Sequence, residues 1–169
     1  LISLVEEYSK DVVGSTIGRH GELLVIEGFA TNGFQILKKN ANSFNDKTWQ
    51  ETGHNLDLII SKDNVNYGVE IKNTLSYLDR EELEAKIAIC KHLNLLPVFV
   101  CRMLPKTYIE QVLQAGGFSL ILKYLLYPEI LAALAKRMVD ELGLFVGTPS
   151  ALADGTVKRF TNWHLNNVN

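Results

Sequence analysis

Apolar residues recur at helical spacing from Gly18 to Thr31, where Leu23, Leu24, Ile26 and Ala30 precede a break at Asn32-Gly33. A shorter helix over residues 2–10 is expected before it. Phe34 to Leu37 reads as a short strand, and Lys38 to Gly53 is polar with no clear period. Asn55 to Ser61 and Tyr67 to Lys72 read as two strands joined by the turn-rich Lys62-Asp63-Asn64-Val65-Asn66. Asp79 to Asn94 reads as a helix with Asp79 as N-cap and Leu83, Ile87, Cys90 and Leu93 on one face. Pro97 to Cys101 is a continuous apolar run, as in a strand covered on both sides. A helix over Pro105–Ala115, a strand over Phe118–Leu122 and a helix over Pro128–Leu142 follow, with Gly143 as the last C-cap.

This order predicts an α/β fold, a mixed sheet with helices on its faces. The pattern predicts one domain over residues 1–148, with a core over about 15–125 and an extra helix over 128–142. A weakly patterned polar tail over 149–169 completes it, and Phe160 and Trp163 are its candidates for docking back.

Composition narrows the class. A chain of 169 residues with 47% hydrophobic and 21% charged positions is ordinary for a globular domain. The longest apolar stretch, Phe118 to Ala135, is broken by Lys123, Pro128 and Glu129, so no membrane partner is expected. No basic-then-apolar leader is visible, although opening on Leu1 rather than Met leaves open whether one precedes it. Cys90 and Cys101 sit in apolar surroundings without ligand spacing, which suits two reduced thiols and a cytoplasmic location. The net charge of -2 excludes a general basic coat for nucleic acid. Residues 61–128 nevertheless carry 8 basic and 7 acidic side chains, against 5 and 8 in residues 1–60.

The chemistry concentrates at Asp57, Glu70, Ile71 and Lys72. In a strand, Glu70 and Lys72 share one face while Val69 and Ile71 take the other. An even-length loop centred between Asp63 and Asn64 pairs residues whose numbers sum to 127. Asp57 then stands across from Glu70 with Cβ atoms roughly 5 Å apart. Like charges so opposed are destabilising unless a cation lies between them, and oxygen ligands suit Mg²⁺ or Mn²⁺. Glu-x-Lys alone is a common surface tripeptide, and an odd-length loop would put Asp57 on the wrong face.

With these residues in this order, the chain resembles the PD-(D/E)XK nuclease superfamily, of restriction-endonuclease-like fold. The resemblance rests on Asn55-Leu56-Asp57, Glu70-Ile71-Lys72 and the αβββαβ order, with Leu56 in place of the nominal proline. Glu22, in Gly18-Arg-His-Gly-Glu22, stands where archaeal Holliday-junction resolvases carry a helix glutamate. The resemblance implies metal-dependent phosphodiester hydrolysis, and a DNA endonuclease is the leading reading. Asp57, Glu70 and the Ile71 carbonyl would hold the metal, Glu22 would bind it directly or through water, and Lys72 would orient or deprotonate the attacking water and stabilise charge.

Around this centre, Lys38, Lys39 and Lys47 with Trp49 form a candidate backbone-binding arm, or a solvated loop. His54, Asn73 and Lys86 are candidate substrate contacts; the alternatives are a solvated histidine, a turn asparagine and an exposed helix lysine. Tyr77, Tyr124 and Tyr127 are expected to pack rather than stack on bases. A homodimer is expected from the need to cut two strands, with Ile130, Leu131, Leu134 and Met138 as its interface; the same helix equally suits a cover for the last strand. Two other classes compete: an inactive nucleic-acid-binding or assembly domain of the same fold, and a hydrolase acting on RNA or a small nucleotide.

Overall fold

The computed structural model describes residues 2–168. Helices α1 (Ile2–Tyr8) and α2 (Asp11–Thr31) lead into strand β1 (Gln35–Ala41), a small hairpin of β2 (Ser43–Phe44) and β3 (Lys47–Thr48), and strands β4 (Leu56–Lys62) and β5 (Val65–Lys72). Then come α3 (Arg80–His92), β6 (Leu96–Cys101), α4 (Lys106–Gln114), β7 (Phe118–Ile121) and β8 (Leu125–Leu126). A 3-10 turn (Glu129–Leu131), α5 (Ala132–Leu142), β9 (Val146–Gly147) and α6 (Asp154–Asn167) complete the order. Among the described residues, five strands form the main sheet in the order β1-β4-β5-β6-β7. β1, β4 and β5 run antiparallel, while β6 and β7 join in parallel through helical crossovers. The protein is therefore α/β with a mixed sheet flanked by helices, in the expected αβββαβ order.

The β4–β5 hairpin sets the register of everything around the candidate site. Asp63 and Asn64 adopt φ of 50° and 64°, left-handed conformations that these two residue types tolerate and that a two-residue hairpin turn requires. The loop is thus even, and the pairs run from Lys62↔Val65 to Leu58↔Val69, each summing to 127 as expected. Leu58, Ile60, Tyr67 and Val69 turn to one face, against Val25 and Phe29 of α2 and Phe160 of α6. Ile59 turns to the other, against Ile89 and Cys90 of α3. Gly68 lets α3 come close, because a Cβ there would lie 2.5 Å from Cys90 Sγ.

Three stretches differ from expectation. The patternless Lys38–Gly53 extends β1 to Ala41 and adds the β2–β3 hairpin, and Trp49 is buried beneath it. The helix foreseen over 128–142 starts as a 3-10 turn, and its Leu134 and Met138 pack into a cluster with Leu4, Ile17 and Tyr127 rather than facing out. Ile130 alone of the four foreseen interface residues is strongly exposed, at 83%, so that dimer surface is not formed. The supposed tail is helix α6, and Val157, Phe160 and His164 on its inner stripe are buried at helical spacing. Phe160 stacks on Phe34 with ring centroids 5.0 Å apart, so α6 belongs to the domain.

Candidate active site

The site forms where β4 and β5 separate. Backbone pairing ends at Leu58↔Val69, one step before Asp57 would face Glu70. There the Ile71 amide donates to Asp57 Oδ2 at 2.7 Å, so a side chain replaces the next backbone acceptor. This fixes Asp57 beside Glu70, within side-chain hydrogen-bond reach. Glu70 and Lys72 turn together toward α3, as strand alternation requires.

Glu70 is buried, and Lys86 Nζ of α3 lies 2.6 Å from its Oε2. The same ammonium donates to the Asn55 carbonyl. Its approach to Glu70 is close but lacks hydrogen-bond alignment, which leaves Oε2 buried without a directed donor. Lys72 Nζ lies 3.6 Å from Glu82, one turn before Lys86 on α3.

The electrostatics follow from crowding. Burial, reinforced by the charge of Asp57, outweighs Lys86 and pushes the Glu70 carboxyl up to about 8. Asp57 is also raised by burial, against the Ile71 amide and Lys86. Glu22, half-buried on α2, is raised by burial first and by Asp57 second, with Lys39 opposing. A buried carboxyl pair pushed toward protonation is the environment that a bound cation would relieve.

Oxygen ligands from Asp57, Glu70 and the Ile71 carbonyl match a hard divalent ion in their chemistry. The donor set is sparse. Among the described residues no group of three or more His, Cys, Asp or Glu side chains is close enough to hold a metal, so Glu22 stands outside direct coordination. The position beside Glu70 Oε2 is held by the Lys86 ammonium, which a metal would have to displace.

The other candidates fall into place unevenly. Asn73 is a correction: its amide is buried, donating to the Ile17 and Leu126 carbonyls at 3.3 and 2.7 Å and accepting from Leu126 N–H at 2.9 Å. It ties β5 to α2 and β8 and does not face a substrate. Lys86 is no exposed helix lysine but a buried partner of Glu70. Lys38 is exposed and bonds the Ser43 carbonyl at 2.9 Å, while Lys39 is exposed within the field of Glu22. His54 Nδ1 lies 2.9 Å from Thr52 Oγ1 in a local turn. Tyr127 packs as expected, whereas Tyr77 is 59% exposed. Sequence reasoning missed Glu82; its place four residues before Lys86 on one helix face was the available signal.

No family model and no curated protein matches the chain. Its structure is similar to the crystal structure of AF1548, a protein of unknown function, at 17% identity and a TM-score of 0.48. The likeness covers 71% of this chain and 65% of that one, so it spans less than two thirds of the neighbour's length.

Proposed function

We propose that this protein is a metal-dependent endonuclease that hydrolyses DNA phosphodiester bonds, with the motif and layout of the PD-(D/E)XK superfamily. The observation that carries this reading is the meeting of Asp57 and Glu70 at the parting of β4 and β5, with Lys72 beyond Glu70 on the same face. Asp57 and Glu70 would hold Mg²⁺ or Mn²⁺ together with the Ile71 carbonyl. Such an ion, when bound, lowers the pKa of a coordinated water and offsets charge on the phosphoryl oxygens. The Ile71 amide holds Asp57 in place before any ligand arrives. Lys72, tethered loosely to Glu82, can turn toward a phosphate and stabilise its developing negative charge. Glu22, whose carboxyl feels the charge of Asp57, would orient water near the pair.

DNA is the proposed partner, with Lys39, exposed and in the field of Glu22, as a candidate backbone contact. No helix of the described residues is long and apolar enough to cross a membrane. Cys90 and Cys101 are buried free thiols, which suits the reducing setting of a cytoplasm. A homodimer would need a surface other than Leu134 and Met138.

One observation favours a second reading. Lys86 already occupies the position beside Glu70 Oε2, as it would in a domain of this fold that binds nucleic acid without cutting it. Incubation of supercoiled, linear, branched and single-stranded DNA and of RNA with Mg²⁺ or Mn²⁺ separates the two. Metal-dependent cleavage lost in Lys72→Ala supports the nuclease, cleavage of RNA alone redirects it, and binding without cleavage supports the second reading.

A further inference from the structure

A cavity of about 690 Å³ opens where β7 ends and α6 begins, on the opposite face of the sheet from α3. Its volume falls within the roughly 300–1,000 Å³ of small-molecule sites. Leu122, Leu126 and Leu152 make an apolar interior, and Arg102, Lys123 and Arg159 bring cations to its lining. No carboxylate among the described residues lines it; Asp154 belongs to a neighbouring cleft with Lys158. Arg159 is held by a 2.8 Å bond from its guanidinium to the Ile121 carbonyl. Arg102 is anchored through its own amide, which donates to the Lys72 carbonyl at 3.2 Å. Lys123 Nζ stands 5.4 Å from the centre of the Tyr124 ring, which is partly exposed at the same cavity. The carboxyl ends of parallel strands are where open α/β sheets bind ligands.

We infer that this cavity binds a nucleoside monophosphate unit, its base among Leu122, Leu126 and Tyr124 and its phosphate among Arg102, Lys123 and Arg159. An apolar slot without acidic lining selects a ligand with an uncharged body and its negative charge at one end. Two guanidinium forks and an ammonium suit a doubly charged phosphate better than a carboxylate. The aromatic wall favours a planar ring over a chain. The unit can be a free nucleotide or the phosphorylated end of a DNA strand; only the second source rests on the proposed nuclease function.

Calorimetry on the full chain tests this with dAMP, deoxyadenosine, inorganic phosphate and a short oligonucleotide with and without a 5′-phosphate. Submillimolar binding of dAMP or of the phosphorylated strand is expected, weakened about tenfold or more without the phosphate. Arg102→Gln and Arg159→Gln should each weaken it by about tenfold. Gly155 lines the cavity with open space at its Cβ position, so Gly155→Leu should block binding without lowering the melting temperature. Asp57→Asn should leave binding intact, which separates this site from the proposed catalytic one. Binding of dAMP alone assigns the free nucleotide, and binding of the phosphorylated strand assigns a strand end. Absence of binding by both, affinity for deoxyadenosine equal to that for dAMP, or unchanged binding in Gly155→Leu overturns the inference.

Discussion

The carboxylate of Asp57 completes the hydrogen bonding of Ile71, at 2.7 Å, on the residue that lies between Glu70 and Lys72. Backbone and site are thereby coupled: the group proposed to hold the metal also terminates a β-ladder. The variants of Asp57 should therefore split. Asp57→Asn keeps an amide oxygen for Ile71 and should fold with unchanged or slightly higher stability, while cleavage is abolished. Asp57→Ala leaves a buried N–H without a partner and should cost roughly 1–3 kcal/mol. Urea unfolding alongside a plasmid-nicking assay reads both effects.

Glu70 gives the protein a pH dependence of definite sign. Its carboxyl is raised from 4.5 to about 8 in the folded state, chiefly by burial and then by Asp57. The folded form thus holds a proton that the unfolded form has lost, so this contribution is complete below the unfolded value and is lost as pH rises through the folded one. Without metal, stability should fall between about pH 4.5 and about pH 8 by on the order of a few kcal/mol. Thermal melts of Glu70→Gln over the same range should lack most of that slope. An equal slope in the variant would assign it to other groups.

Metal should compete with that proton. Below about pH 8, binding of Mn²⁺ requires Glu70 to ionise, so apparent affinity should rise with pH and level off above it. Calorimetry near pH 7 in buffers of different ionisation enthalpy should reveal proton release on binding. The melting temperature should rise with Mn²⁺ in the wild type and respond far less in Glu70→Gln.

Lys86 tests how the pair is balanced. Lys86→Met removes the counter-charge of a buried carboxylate and should cost roughly 3–5 kcal/mol above pH 8, and less at pH 5, where Glu70 is protonated. Mn²⁺ should restore part of that loss by supplying the missing positive charge. A chemical denaturation series at both pH values, with and without metal, separates these outcomes.

The hairpin geometry was legible in the sequence because a two-residue turn with Asp63-Asn64 at its centre fixes register, and register fixes faces. The common face of Glu70 and Lys72 followed from strand alternation alone. Asn73 was not legible: its partners, Ile17 and Leu126, are more than fifty residues away in either direction, and nothing local marks a turn-like asparagine as a buried clamp. Lys86 misled for a related reason, since lysines are rarely buried unless paired, and its partner lies on another element. In α6 the signal was present, at Val157, Phe160 and His164, but the polar residues between them obscured the stripe.

His164 lies between Tyr67, whose hydroxyl is 2.6 Å from its Nδ1, and Asp63, whose carboxylate is 2.9 Å from its Nε2. Those partners sit 97 and 101 residues upstream, in β5 and the hairpin turn. During synthesis, the ribosome therefore releases the strands bearing Asp57 and Glu70 long before the helix that covers Tyr67 and Phe34 has left its exit channel. Until then the rings of Phe34 and Tyr67 lack the cover that Phe160 gives them, and the residues of α6 decide whether that surface closes. A chain stopped just before α6 would keep every proposed catalytic residue yet leave Phe34 and Tyr67 without the helix that buries them.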